Sequence, residues 1–211
     1  MKDNCVFCRE LNGRRDTNFA RLYPEFSSRV IAETVDLVVF PCIGQLALGH
    51  SLVVTKTHYT NFAEAFSEIP SLGIQLNSAL AGVHELLGFE PRDTLYFEHG
   101  TITAEDGGCG IYHAHLHLVP NAGGVKVGSL SSGDPLNRKA LIEAYDATDS
   151  EKPYVLTGSD QYGFSTETLN AVIPSQTIRR KVASELGCRV WDWREAGPEE
   201  GMFELLGRKL A

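Results

Sequence analysis

The sequence predicts an α+β fold: an antiparallel sheet with a long helix on one face, followed by a C-terminal extension. Three observations carry this. Short runs rich in valine and isoleucine occupy 29–33, 36–41 and 51–55. One stretch, 61–88, repeats apolar residues at three- and four-residue intervals. Two further short runs follow at 94–98 and 111–119. The order meander, helix, hairpin is that of a sheet covered on one face.

Taken in order, Gly44 and Gly49 punctuate the connection that leads into the strand SLVVT, 51–55. In 61–88 the periodic positions include Phe62, Ala65, Phe66, Ile69, Leu72 and Leu76. Asn61 is placed to cap that helix, Pro70 to kink or divide it, and Gly88 to end it. A turn at Asp106-Gly107-Gly108 separates the last two strands, and Pro120 closes the second. The character of the chain changes after residue 122. A short helix is predicted in 135–145, a strand at 153–157 and a helix from Ser175 to Leu186, before the aromatic stretch Val190-Trp191-Asp192-Trp193. The division expected is a core domain, 1–122, with an extension, 123–211, packed on it.

The 211 residues suffice to bury a sizeable core. The formal charge is −8, from 19 basic and 27 acidic residues, which argues against a nonspecific nucleic-acid binder. A small phosphorylated ligand remains compatible with it, since one pocket can be locally positive. The dense basic cluster, Arg179, Arg180 and Lys181, reads as the solvated face of a helix. No segment has the ~20 apolar residues of a membrane span, and the opening MKDNCVFCRE has no apolar signal core, so a cytoplasmic protein is expected. Five cysteines in a chain this long do not make a disulfide framework. Trp191 and Trp193 are expected to bury against something, either as plain core packing or so that the extension shapes a pocket.

The chemistry is concentrated in His113-Ala114-His115-Leu116-His117. Alternate residues of a strand share a face, so three imidazoles line one side at steps of roughly 6–7 Å. Tyr112, Ala114, Leu116 and Leu118 point the other way. Three of the chain's seven histidines in strict alternation are improbable as a merely polar strand face. A metal site is the other reading, and both hold if the imidazoles have different tasks. Cys5-Val6-Phe7-Cys8 alone is compatible with a zinc half-site, a redox pair or coincidence.

HAHLHLV resembles the histidine-triad pattern, and more of the chain agrees with that family. Cys5-Val6-Phe7-Cys8 resembles its amino-terminal zinc half-site. Residues 49–58, GHSLVVTKTH, resemble the strand before its long helix, and Gly107-Gly108-Cys109-Gly110 its phosphate-binding loop. The resemblance spans about 4–121. It implies a nucleotidyl hydrolase in which His115 attacks phosphorus and a nucleotidyl-histidine forms, then yields to water. It implies that His117 contacts phosphoryl oxygens or protonates the leaving group. Backbone around Cys109 and Gly110 would stabilise negative charge, and His50 would support the site from behind. It further implies structural zinc on Cys5, Cys8, His58 and His113, and a homodimer. A histidine at 117, where a related transferase branch has glutamine, points to dinucleoside polyphosphates or nucleoside phosphoramidates as substrates.

The chain also departs from the pattern. Cys42 stands where a ribose-binding polar residue is usual, Cys109 and Gly110 where glutamine and serine or threonine are usual, Glu98 at an asparagine and Thr55 at a proline. Two other functions stay open: these departures suit a nucleotide-binding or scaffolding protein with little turnover, and the long extension suits a nucleotidyl transferase in a specialised pathway.

Overall fold

The computed structural model describes residues 4–103, 110–127 and 139–208. Seven strands form one antiparallel sheet: β1 (Ala32–Glu33), β2 (Leu37–Pro41), β3 (Ser51–Thr55), β4 (Leu95–Gly100), β5 (His115–Val119), β6 (Tyr154–Ser159) and β7 (Gly163–Thr168). Their spatial order is β1-β2-β3-β5-β4-β6-β7. Every residue of β2, β3 and β5 is buried, so both sheet faces are covered there. Alternation divides the side chains into two layers. Leu37, Val39, Val53, Tyr96, Leu116 and Leu118 enter one core. Val38, Phe40, Leu52 and Val54 enter a core on the other side with Phe7.

The first layer is covered by α3 (Phe62–Glu68) and α4 (Leu72–Leu87). The helical stretch is split: Ile69-Pro70-Ser71 is not helical, because proline lacks the amide hydrogen an interior turn requires. The Asn61 side chain accepts from the Glu64 N–H at the start, and Gly88 ends α4 in the left-handed region. Helices α5 (Leu141–Asp146) and α7 (Glu200–Arg208) add Leu141, Tyr145, Met202 and Leu205 to the same core. On the opposite face lie α1 (Val6–Leu11), preceding α2 (Asn18–Leu22), and α6 (Thr177–Glu185), whose Ile178 and Val182 pack against Leu95, Phe97 and Val155. Among the described residues no helix is long and apolar enough to cross a membrane.

Several expectations shift in detail. The run 29–33 contributes only Ala32 and Glu33 as strand. The run 111–119 becomes strand only at His115. The Thr55 carbonyl, which would continue the ladder with β3, instead accepts from the His113 ring at 2.7 Å, and the Ala114 N–H turns to Tyr59 O at 2.7 Å. The predicted 135–145 helix is observed as α5 from Leu141; residues 128–138 lie outside the described residues, as do Asp106, Gly107, Gly108 and Cys109. Strands β6 and β7 pair onto β4, with Phe97 opposite Thr157, so residues beyond 122 continue the sheet rather than merely rest on it.

The basic cluster at 179–181 requires correction. Arg180 is exposed, but Arg179 is 2% exposed and lies on the inner stripe of α6 with Ile178, Val182 and Ala183. Cys188, beyond α6, is half-buried.

Candidate active site

β5 sets His115 and His117 on the sheet face opposite α3 and α4, and the three imidazoles are all at least nine-tenths buried. Their hydrogen bonds determine which ring nitrogen carries the proton, because a nitrogen facing a carbonyl must donate and one facing an N–H must accept. His115 Nδ1 lies 2.6 Å from the His113 carbonyl. It carries the hydrogen, and Nε2 of His115 holds the lone pair.

A second chain of bonds orients His117. The Leu46 N–H donates to His50 Nδ1 at 3.2 Å. His50 therefore carries its hydrogen on Nε2, which donates to His117 Nδ1 at 2.9 Å. His117 in turn keeps its hydrogen on Nε2. Phe97 stacks on the His117 ring at 4.2 Å and 11°, holding its plane. Burial first, then the cation Arg179, keeps His50 well below the ordinary imidazole range. Burial also depresses His117, reinforced by His115, His50 and Arg179. Both rings are neutral near pH 7. His117 is thus an N–H donor and His115 a lone-pair donor on one strand face.

The third histidine is held differently. His113 Nε2 donates to Thr55 O, so Nδ1 carries its lone pair. That nitrogen lies 3.3 Å from Cys5 Sγ and 3.5 Å from Cys8 Sγ, while His58 Nδ1 lies 3.3 Å from Cys8 Sγ. Ligand atoms of Cys5, Cys8, His58 and His113 all fall within 4.8 Å of one another. A tetrahedral zinc holds sulfur and nitrogen ligands about 3.5 Å apart, given ordinary metal–ligand lengths. The donor set and spacing therefore fit such an ion. Burial, with lesser contributions from His58 and His115, pushes His113 down to about 4, so it stays neutral as a ligand must.

A second cluster, Cys42, His50 and His117, is equally tight but differs in kind. His50 and His117 already share a proton bond, and the Arg179 Nη1 donates to Cys42 Sγ at 3.2 Å. A permanent cation at that distance disfavours a metal ion there.

The cleft at the imidazoles is lined by Val6, Phe7, Ile43, Leu52 and Ile111 as apolar walls, and by Arg179 and Trp193 from beyond the sheet. Arg179 reaches it because its Nε donates to Trp191 O at 3.0 Å and its Nη2 to Gly44 O at 2.5 Å. A Cβ on Gly44 would meet Trp193 Cα at 3.0 Å, and φ is +70° there, so the close approach requires glycine. Glu199 ties the same turn by accepting from the Gly44 and Gln45 N–H groups at 2.8 and 2.9 Å. At the outer end Glu10 pairs with Arg29 at 2.8 Å, and that guanidinium lies 4.1 Å from the Phe40 ring centroid.

The structure thus brings His50, His113, His115 and His117 together, with Cys5, Cys8 and His58 beside them. Gly110 lies close to Arg194, whose Nη2 would be 2.1 Å from an added Cβ. Cys109 lies outside the described residues. Glu98 is turned away from the imidazoles: it is on the helix side of β4, bonded to the Phe62 N–H and the Tyr154 hydroxyl. Arg179 is the residue that sequence reasoning missed. Its signal was helical period, since it falls four residues before Ala183 and three before Val182 on the apolar stripe.

No family model matches the chain. Curated relatives do. The protein Hit of Bacillus subtilis is 28% identical over 125 residues, covering 57% of this chain and 73% of that protein. An uncharacterized HIT-like protein of Methanocaldococcus jannaschii is 29% identical over 137 residues, covering 62% and 92%. An uncharacterized HIT-like protein of Saccharolobus solfataricus is 30% identical over 118 residues, covering 55% and 73%. A solved HIT family hydrolase from Clostridium thermocellum is 24% identical with a TM-score of 0.41, covering 56% of this chain and 90% of that one. With 30% identity across 73% of a relative's length, and with the alternating histidines of β5, the chain belongs to the HIT family.

Proposed function

We propose that the chain cleaves a phosphorus–oxygen or phosphorus–nitrogen bond in a nucleotide-like substrate through a nucleotidyl-histidine on His115. The observation that carries this reading is the 2.6 Å contact of His115 Nδ1 with the His113 carbonyl. It places the lone pair on Nε2 of a ring facing the cleft, the state an imidazole nucleophile needs. Nε2 attacks phosphorus, and the bond to the leaving group breaks. His117, a neutral ring, donates its Nε2–H as a hydrogen bond to the phosphoryl oxygens, and the leaving group takes the proton it requires from solvent. Water then attacks the same phosphorus, the bond from phosphorus to His115 Nε2 breaks, and the water's proton passes to solvent. Phe7, Ile43, Leu52 and Ile111 give the cleft beside His115 apolar walls.

The same proposal gives Cys5, Cys8, His58 and His113 a structural zinc. Two thiols and two imidazoles form a soft, four-ligand set, and Thr55 O orients one imidazole as a second-sphere acceptor. When bound, the ion would cross-link α1 to the entry of β5 and leave His115 outside the coordination sphere.

The test is to trap the intermediate. The protein is mixed with a labelled dinucleoside polyphosphate or nucleoside phosphoramidate, quenched in alkali within milliseconds and digested. The expected result is one acid-labile, base-stable label on His115. Label on a cysteine, or an active protein that never carries label, overturns the covalent mechanism.

A further inference from the structure

Arg179 is a permanent cation, 2% exposed, and among the described residues it forms no ion pair within 4.0 Å. Its hydrogen-bond partners are neutral: the Trp191 and Gly44 carbonyls and the Cys42 sulfur. Those bonds use three of its five N–H groups. A buried charge held only by neutral partners is costly, and an anion beside it offsets that cost. Burial keeps Cys42 protonated despite the guanidinium, so the thiol is not that anion.

Two further donors point to the same need. Trp193 Nε1 is buried and has no hydrogen-bond acceptor among the described residues, and Trp193 lines the cleft beside His115, His117 and Arg179. His117 presents Nε2–H, as its bond from His50 requires. Arg179, Trp193 and His117 thus line one cleft, whose other walls are apolar apart from Cys42, His115, Asn18 and the Glu10–Arg29 pair at its outer end. Phosphoryl oxygens are the acceptors that match them: several lone pairs, net negative charge and a compact shape.

We propose that Arg179 and Trp193 bind the phosphoryl oxygens of the substrate, supplying from beyond residue 122 a positive wall to the His115 site. This rests on His115 being the reacting group, since it locates the phosphorus in this cleft. The pairing has a physical logic. The chain as a whole carries a charge of −8, so it repels anions at long range and needs a fixed local cation to hold one. Arg179 provides it in a place where little water screens the charge. Its position is set by three bonds before any ligand arrives, so little reorganisation is needed on binding.

The probe is inorganic pyrophosphate, which needs no knowledge of the base. Its binding to the full chain is measured by calorimetry in parent, Arg179→Met, Arg179→Lys and Trp193→Phe proteins, with circular dichroism as the check on folding. Loss of one charge-assisted hydrogen bond corresponds to about tenfold in affinity. Arg179→Met is expected to weaken pyrophosphate by at least about tenfold, Arg179→Lys by less, and Trp193→Phe by several-fold with the fold intact. If Arg179→Met does not fold, the lysine and phenylalanine variants decide. Parent protein that does not bind pyrophosphate, or folded variants that bind it as the parent does, overturn the proposal. Failure of the covalent mechanism is read separately: it shows as an absent His115 label while pyrophosphate binding still depends on Arg179.

Discussion

Replacing Glu98 by glutamine should remove a pH dependence of stability that this one carboxyl creates. Glu98 is 1% exposed, with Oε1 accepting from the Phe62 N–H at 2.9 Å and Oε2 from the Tyr154 hydroxyl at 2.7 Å. Burial disfavours the charged form and outweighs these donors, pushing the carboxyl from 4.5 up to about 7. A raised folded-state value means that the native protein holds the proton more tightly than the unfolded chain does. The cost of this group is therefore absent below about pH 4.5, grows as pH rises and levels off above about 7. At about 1.4 kcal/mol per pH unit, the whole window amounts to about 3 kcal/mol. Glu98→Gln keeps the shape and cannot titrate. Urea unfolding of both proteins at pH 5 and pH 8 isolates the effect, since other groups cancel in the difference. The parent should lose about 2–3 kcal/mol more than the variant between the two conditions. Equal losses, or a larger loss in the variant, would show that Tyr154 and Phe62 hold the carboxylate ionised and that burial does not win.

Three further outcomes are expected. His115→Ala should lower turnover by about a thousandfold or more, with the melting temperature within a few degrees of the parent's; near-parental activity in the variant would remove His115 from the chemistry. Metal analysis of protein purified without chelator should find one zinc per chain, and Cys8→Ser should lower both the zinc content and the melting temperature, whereas full stability without metal would dismiss the ion as a structural element. Arg29→Ala should cost about 3–5 kcal/mol in urea unfolding, because it strands the buried carboxylate of Glu10 and uncovers the Phe40 ring; a cost below about 1 kcal/mol would mean that water reaches Glu10.

Much of the fold was legible because its signals are local. The apolar repeat of 61–88, the cap at Asn61 and the break at Pro70 each depend on residues within one or two helical turns. The strands β2, β3 and β4 likewise follow from runs of branched and aromatic residues. The end of β5 was less legible. His113 leaves the ladder because its ring takes the Thr55 carbonyl, a partner 58 residues away. The continuation of the sheet into β6 and β7 depends on the exposed edge of β4, which no local pattern announces.

The site divides in the same way. Alternation along one strand is intrinsic to the backbone, so the sequence by itself determined that His115 and His117 share a face and that Leu116 and Leu118 enter the opposite core. Proton placement could not be read there, because it depends on which carbonyl or N–H each ring meets. Leu46 orients His50 and through it His117, across 67 residues of chain. Nor could the sequence distinguish Arg179 from Arg180. Adjacent helical residues point about 100° apart, and only the packing of α6 against the sheet decided that the first enters the cleft beside Cys42 and the second faces solvent.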